Sequence, residues 1–473
     1  MIFPLSWHVR QCKKFLILVV IYGLCTFFIV SYLKSKIYPK KDNCFVNESF
    51  NIKSKEIIFK VEANLKYFLE KDTNISVSDD ESDDWVQITE GVFIYSAYID
   101  KCPSIISSSS FCVQFIGISL MNITDIDDSI SDIKCAFKRK SNVTRLGFAF
   151  LKKLNEHHFK PYTAAFFYCD LKDFTTNSVS INFVTLYKVS ISTWVRVNYL
   201  EFKTTPNVSI NLCVRPLYGL YPSINMIEFL TYYKMMGVEH FVFYRYNISA
   251  SMHLFLKFLK STNLSIEIRP WNVPLDNELL HEFGQMVFTQ DCIVRNKYKF
   301  SHTIIVDIDE YIVPKLHLNI TSLIVYLDEK HEDAGSYVIP MALFCDEFSY
   351  DSPKFSLFHI LNHNKRQKTF WKYGYRSKYI VRSGRVLYGG IHFIWKHERN
   401  WHEVEVSDTV ALLHHYRRCC GVMQTWFFEL FSFYVLNDDV VIDNSLIDNS
   451  FKLANDSLVS LILNLLNVTS LYF

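Results

Sequence analysis

The segment His302-Thr303-Ile304-Ile305-Val306-Asp307-Ile308-Asp309-Glu310 holds an apolar run that meets three carboxylates within four positions. Burying Ile304, Ile305 and Val306 is favourable, whereas crowded acids repel one another and resist desolvation. A fold that ends a buried strand on them commonly offsets the cost with a cation. In extended backbone, side chains at i and i+2 share a face, so Asp307 and Asp309 are expected to point at one divalent metal while Ile308 turns into the core. A solvated strand end with ordinary acids fits the spacing alone equally well.

The flanking elements favour a site. Val208 to Val214 is predicted as a strand, followed by a turn at Pro216, Tyr218, Gly219 and Pro222. Ser223 can cap a helix carrying Met226, Phe229, Leu230, Tyr233 and Met236 at helical spacing, with Gly237 as its stop. A strand at Phe241 to Tyr246, a helix with Met252, Phe255, Leu256 and Leu259 on one face, a strand at Leu264 to Arg269 and a helix over Phe283 to Lys297 then lead to His302. This β-α-β-α-β-α-β succession predicts an α/β domain with a mostly parallel sheet, whose ligands bind beyond the carboxyl ends of the strands. Asp307 and Asp309 lie at such an end. Upstream, GVFIYSAYI, FCVQFIGISL, KPYTAAFFYC, SVSINFVTLYKV and TWVRVNYLEF predict a smaller β-rich domain over 85–206, leaving 207–473 for the α/β domain.

The 473 residues carry a net charge of +2 with 21% charged side chains, which excludes the strongly basic field of a nucleic-acid binder. Phe15 to Leu33 is nineteen residues without a charge, enough to cross a bilayer, and no small-residue cleavage site follows it. The expected layout is a cytosolic tail at 1–14, a transmembrane signal anchor at 15–33 and a lumenal stalk at 34–84, in a single-pass type II membrane protein of the secretory pathway, in first place the Golgi. Basic residues flank the helix on both sides, so orientation rests on the ten N-x-S/T acceptors at Asn47, Asn74, Asn122, Asn142, Asn207, Asn247, Asn263, Asn319, Asn455 and Asn467. Ten of the twelve cysteines then meet an oxidising compartment and are expected to form disulfides, of unassigned pairing.

The α/β domain with its D-x-D is similar to the nucleotide-sugar-binding type called GT-A. More narrowly, CVRPLYG at Cys213 to Gly219, EFLTYYKMMGVEHFVFY at Glu228 to Tyr244, GQMVFTQDC at Gly284 to Cys292, VDIDEYIVP at Val306 to Pro314, KYIVR at Lys378 to Arg382 and HHYRR at His414 to Arg418 resemble, in order, glycosyltransferase family 92, also known as DUF23. The resemblance covers about Trp85 to Arg418. It implies an inverting, metal-dependent β-1,4-galactosyltransferase using UDP-galactose, with a glycan acceptor such as an N-glycan fucose in the animal members or galactan in the plant ones.

Under that resemblance Mn²⁺, or Mg²⁺, is held by Asp307, Asp309 and a distant histidine, in first place His415, with His414 and His392 as competitors. Arg215 is placed to meet the uridine or phosphate, and Tyr244 to stack on the base. Gln285 and Asp291 are placed to reach ribose or sugar hydroxyls, and Glu310 to contact the donor sugar or cap a turn. Asp346 and Glu347 are the candidate general bases, with Glu398 and Glu403 behind them. A catalytically silent glycan-binding protein that keeps the fold is the rival reading. A phosphoryl-transfer enzyme or metal hydrolase is disfavoured by the lack of GxxxxGK[ST] and HExxH.

Overall fold

The computed structural model describes residues 85–103, 106, 111–121, 129–139, 142–171, 181–200, 208–219, 221, 223–260, 264–348, 358–371, 373–419 and 440–446, with Ala63. The expected tail, anchor and nearly all of the stalk lie outside these residues. The expectation of a single-pass membrane protein is corrected: among the described residues no helix is long and apolar enough to cross a membrane.

The first sheet is built from β1 (Val86–Thr89), β2 (Val92–Lys101), β3 (Phe111–Leu120), β4 (Ser129–Arg139), β5 (Asn142–Lys153), β6 (Tyr162–Asp170), β7 (Phe183–Tyr187) and β8 (Val195–Tyr199). Its order is β1-β2-β3-β6-β5-β4-β7-β8, and a parallel β2–β8 pairing closes it into a barrel. Period-2 alternation gives β3 and β6 two apolar faces. Val113, Phe115, Ala165 and Phe167 fill the barrel, while Ile116, Ile118, Phe166 and Tyr168 turn outward into a core shared with the rest of the chain.

The second sheet contains β9 (Ile210–Gly219), β10 (His240–Ile248), β11 (Ser265–Pro270), β12 (His302–Val306), β14 (Ala334–Ile339), β17 (Lys378–Arg382) and β20 (His402–Glu405). Between β12 and β14 runs β13 (Glu310–Pro314), which belongs to a small third sheet with β15 (Met341–Cys345) and β21 (Ala411–Arg417). Short pairs join β16 (Lys365–Gln367) to β22 (Val440–Ile442) and β18 (Val386–Gly389) to β19 (Ile394–His397).

The expected α/β class holds, but the sheet is mixed. Its order is β11-β10-β9-β12-β17-β14-β20, and β17 runs antiparallel to both β12 and β14. The predicted turn at Pro216 is also absent, because β9 continues to Gly219 beside β10.

The helices are α1 (Ser223–Met235), α2 (Ala250–Lys260), α3 (Gln285–Asn296), α4 (Ile320–Lys330) and α5 (His359–Asn362). Alternation along the strands separates the two sides of the sheet. Leu212, Val214, Phe241, Phe243, Ile304 and Val306 share a core with apolar residues of α1, α2 and α4. Cys213, Val242, Tyr244 and Ile305 instead meet α3 and the barrel's outer face. α1 stops at Gly237, whose φ of +99° and close approach to Thr321 admit no side chain.

Four disulfides, Cys102–Cys112, Cys135–Cys169, Cys213–Cys292 and Cys345–Cys419, staple these parts. Cys44 and Cys420 lie outside the described residues.

Candidate active site

Strand register assembles the site. Val306 of β12 pairs Val214 of β9, which sets Asp307 beside Arg215 at the carboxyl ends of two parallel strands. Because Ile305 pairs Tyr379 of antiparallel β17, Lys378 arrives next to the same strand end. In the third sheet Glu310 pairs His415. The acids do not continue as extended backbone: the Glu310 amide donates to the Asp307 carbonyl at 3.1 Å, closing a turn.

The resulting cluster alternates in sign. Asp307 Oδ1 lies 3.4 Å from Lys378 Nζ and 3.7 Å from Arg215 Nε. Lys378 Nζ also lies 3.5 Å from Glu310 Oε2, the oxygen that accepts the Asp307 amide at 2.8 Å. His415 Nε2 is 3.4 Å from Asp309 Oδ2, and its Nδ1 is 3.5 Å from Glu310 Oε1.

These contacts divide the acids. Burial resists ionisation of Asp307, but Lys378 and Arg215 outweigh it and hold the carboxyl well below the usual range. Burial likewise opposes the charge on Asp309, and His415 reverses the balance. Glu310 is pushed up to about 7 by burial, against Lys378 and with Asp307 adding to the rise. Asp307 in turn raises Arg215, against burial.

Arg215 is held from its other side by Glu282, 3.6 Å away, and by the Tyr218 ring at 5.3 Å. The Tyr218 hydroxyl donates to Glu282 Oε2 at 3.0 Å, and burial pushes that hydroxyl up to about 12. Glu282 and Phe283 adopt left-handed backbone, with φ of 43° and 52°. Strain of this kind is retained where the surroundings over-determine it, and here it sets the carboxylate against Arg215.

The expected metal ligands are brought together unequally. Asp309, with 41% of its side chain exposed, faces His415, whereas the Asp307 carboxylate faces Lys378 and Arg215. Carboxylate oxygen and imidazole nitrogen form a donor pair that suits Mn²⁺. Glu310 behind the second ring nitrogen matches the way a carboxylate backs a metal-bound histidine. His415 Nδ1 is buried and has no hydrogen bond of good geometry, which leaves the ring able to adjust to a cation. Of the competitors, His414 points into the core against Phe344 and Tyr416, and His392 bonds the Ser377 carbonyl at 3.2 Å.

Other expected positions lie elsewhere. Tyr244 is fully buried beside Trp271 and Phe288, so it has no face for a base. Its hydroxyl donates to Asp291 at 2.7 Å. Asp291 is fully buried too, accepting from Ser96 and Tyr98 at 2.6 Å each and from Arg295 at 3.1 Å. Barrel, sheet and α3 meet on that carboxylate, which leaves it no capacity for a sugar hydroxyl. Gln285 opens α3 and is buried. Glu347 accepts the Cys419 amide with both oxygens, and Asp346 turns toward two histidines. Glu310 caps the turn.

Lys378 is the site residue that sequence reasoning passed over. A lysine opening the apolar strand Lys378-Tyr379-Ile380-Val381 was its signal, because a lysine 1% exposed requires acids beside it.

A family described as Glycosyltransferase family 92 matches residues 209–455, a span that contains every member of the cluster. No curated protein matches significantly. Among solved structures, similarity is found to HddC from Yersinia pseudotuberculosis, at 11% identity over 52% of this chain and 97% of that one, with a TM-score of 0.22. GalNAc-T7 with UDP, GalNAc and Mn²⁺ is similar at 11% identity over 48% of this chain and 46% of that one, with a TM-score of 0.28. A UDP-glucose pyrophosphorylase complexed with UDP-glucose is similar at 12% identity over 44% of this chain and 90% of that one, with a TM-score of 0.22.

Proposed function

The chain belongs to glycosyltransferase family 92, and on that footing we propose that it moves a hexose, galactose in first place, from a UDP-sugar to a glycan with inversion of the anomeric centre. The observation that carries this reading is the opposed-charge cluster at the carboxyl ends of β9 and β12, where ligands of α/β sheets bind. Breaking a glycosyl-diphosphate bond concentrates negative charge on the leaving group, so the site needs positive charge already in place.

The chain supplies Arg215 and Lys378, each fixed by Asp307. Asp309 and His415 would hold Mn²⁺ or Mg²⁺, which supplies Lewis-acid stabilisation of the diphosphate when bound. Glu310 sets the turn that presents Asp307 and backs the His415 ring. On this reading Asp307 organises the protein's own cations, and Asp309 takes the metal. The family resemblance makes a fucose on an N-glycan the first acceptor to test.

The experiment is UDP release by the full-length chain across UDP-sugars and glycan acceptors, with Mn²⁺ or with EDTA. Release that requires metal, one donor and one acceptor is expected. Silence across the panel, with no UDP binding by calorimetry in Mn²⁺, would sink the enzymatic reading in favour of a glycan-binding protein that keeps the fold.

A further inference from the structure

Asp346, His359 and His363 converge on one point, and neither Asp309 nor His415 shares in it. Asp346 directly follows β15, while His359 opens α5 and His363 follows its last residue. The i, i+4 spacing puts both imidazoles on one face, with ring centroids 3.9 Å apart. Both Nε2 atoms aim at the same oxygen: Asp346 Oδ1 lies 3.3 Å from that of His359 and 3.6 Å from that of His363.

The His363 Nδ1 lies 2.9 Å from the His359 carbonyl. A carbonyl only accepts, so Nδ1 carries a proton, and in the neutral ring Nε2 turns a lone pair toward the carboxylate. Asp346 Oδ1 is enclosed and takes part in no hydrogen bond of good geometry. A neutral imidazole nitrogen and a carboxylate oxygen facing each other repel unless a proton or a cation lies between them. A divalent ion placed between them would meet a lone pair from each of the three side chains at once.

The spacing also suits a metal. Bonds of about 2.0–2.1 Å at tetrahedral angles separate ligand atoms by about 3.3 Å, close to the two measured distances. The support is built in. Both oxygens of Glu228 in α1 receive the first amides of α5, from His359 at 2.9 Å and Ile360 at 2.7 Å. The Asp346 amide donates to the Arg417 carbonyl at 3.0 Å, next to the Cys345–Cys419 disulfide. His359 and Asp346 side chains are 38% and 34% exposed, which leaves one side open for a water or another oxygen ligand.

We propose that Asp346, His359 and His363 form a second cation site, distinct from the Asp309–His415 pair, that takes a borderline transition-metal ion such as Zn²⁺ in preference to Mg²⁺ or Ca²⁺. Two imidazoles and a single carboxylate select that class. The site stands on its own geometry and does not depend on the donor or acceptor proposed above.

The test uses Co²⁺ as a coloured probe. Metal-stripped full-length protein is titrated with Co²⁺ in excess Mg²⁺, reading visible ligand-field absorption and its loss on adding Zn²⁺, for wild type, Asp309→Ala, Asp346→Asn and His363→Ala. The expected result is one equivalent of four- or five-coordinate Co²⁺ in wild type and Asp309→Ala, lost in Asp346→Asn and His363→Ala. Near-isosteric Asp346→Asn, with its fold verified by circular dichroism, keeps the test decisive where His363→Ala fails to fold. Absorption that survives Asp346→Asn, that disappears only in Asp309→Ala, or that never develops in wild type overturns the proposal.

Discussion

Asp291 and Glu310 are both buried carboxylates close to a cation, yet their surroundings drive them in opposite directions. Asp291 receives hydroxyls from Ser96, Tyr98 and Tyr244 and two nitrogens of Arg295. Burial opposes its charge, but Arg295 and these bonds hold it below the usual carboxylate range. Glu310 accepts one amide, meets Lys378 and the His415 ring at 3.5 Å and has Asp307 and Asp309 beside it, so burial carries it up to about 7. A saturated carboxylate locks parts together. An incompletely paired group of acids leaves charge that a ligand can still satisfy, and this separates the joint between the sheets from the site at the strand ends.

Asp291→Ala is the sharpest way to break the comparison. It strips the nearest counter-charge from buried Arg295 and unties β2 from α3 and β10, so unfolding free energy is expected to fall by about 3–5 kcal/mol in denaturant titrations. A loss under about 1 kcal/mol would put Asp291 in the class of exposed ion pairs. Asp309→Asn tests the other half, keeping the shape of a half-exposed side chain while removing its charge. Its kcat/KM for the UDP-sugar is expected to drop by about 10²–10³, or about 2.7–4 kcal/mol, with little change in the unfolding midpoint. The reverse pattern would make Asp309 structural.

The same contrast explains what was legible in the sequence. Helical spacing in Met226, Phe229, Leu230 and Tyr233 and the acids after Val306 are local signals, and they placed α1, β12 and the strand-end cluster close to where they lie. Strand direction is not local. β17 enters the sheet from about seventy residues downstream of β12 and runs antiparallel, which no periodicity records. Asp291 and Tyr244 read as site candidates because a polar residue on a helix and a ring at a strand end carry no mark of being covered. The barrel's outer face covers them, through contacts nearly two hundred residues apart. Strand parity separates His415 from His414, since the neighbour opposite Glu310 faces the acids and the next side chain faces the core.

A smaller effect follows from the titration of Glu310. In metal-free protein the folded state keeps this proton up to about 7, while the unfolded chain releases it near 4.3. The stability it contributes is therefore fully present below about 4.3 and is lost as pH rises through 7. Glu310→Gln should flatten that fall, by on the order of 3 kcal/mol between about pH 4.5 and 7.5 in urea titrations with EDTA. An unchanged slope would mean that Glu310 is ionised throughout and that Lys378 and His415 satisfy it as fully as Arg295 satisfies Asp291.

The mildest change probes the joint where a ligand role had been expected. Tyr244→Phe removes one of three hydroxyls from Asp291 and keeps the ring against Trp271 and Phe288. Because Ser96, Tyr98 and Arg295 still satisfy the carboxylate, the expected cost is about 1 kcal/mol in unfolding free energy, with KM for the UDP-sugar unchanged. A tenfold rise in KM at unaltered stability, about 1.4 kcal/mol of lost binding, would mean that the ring reaches the donor. That outcome would require the barrel to lift from α3, and the joint and the site would then be one moving unit.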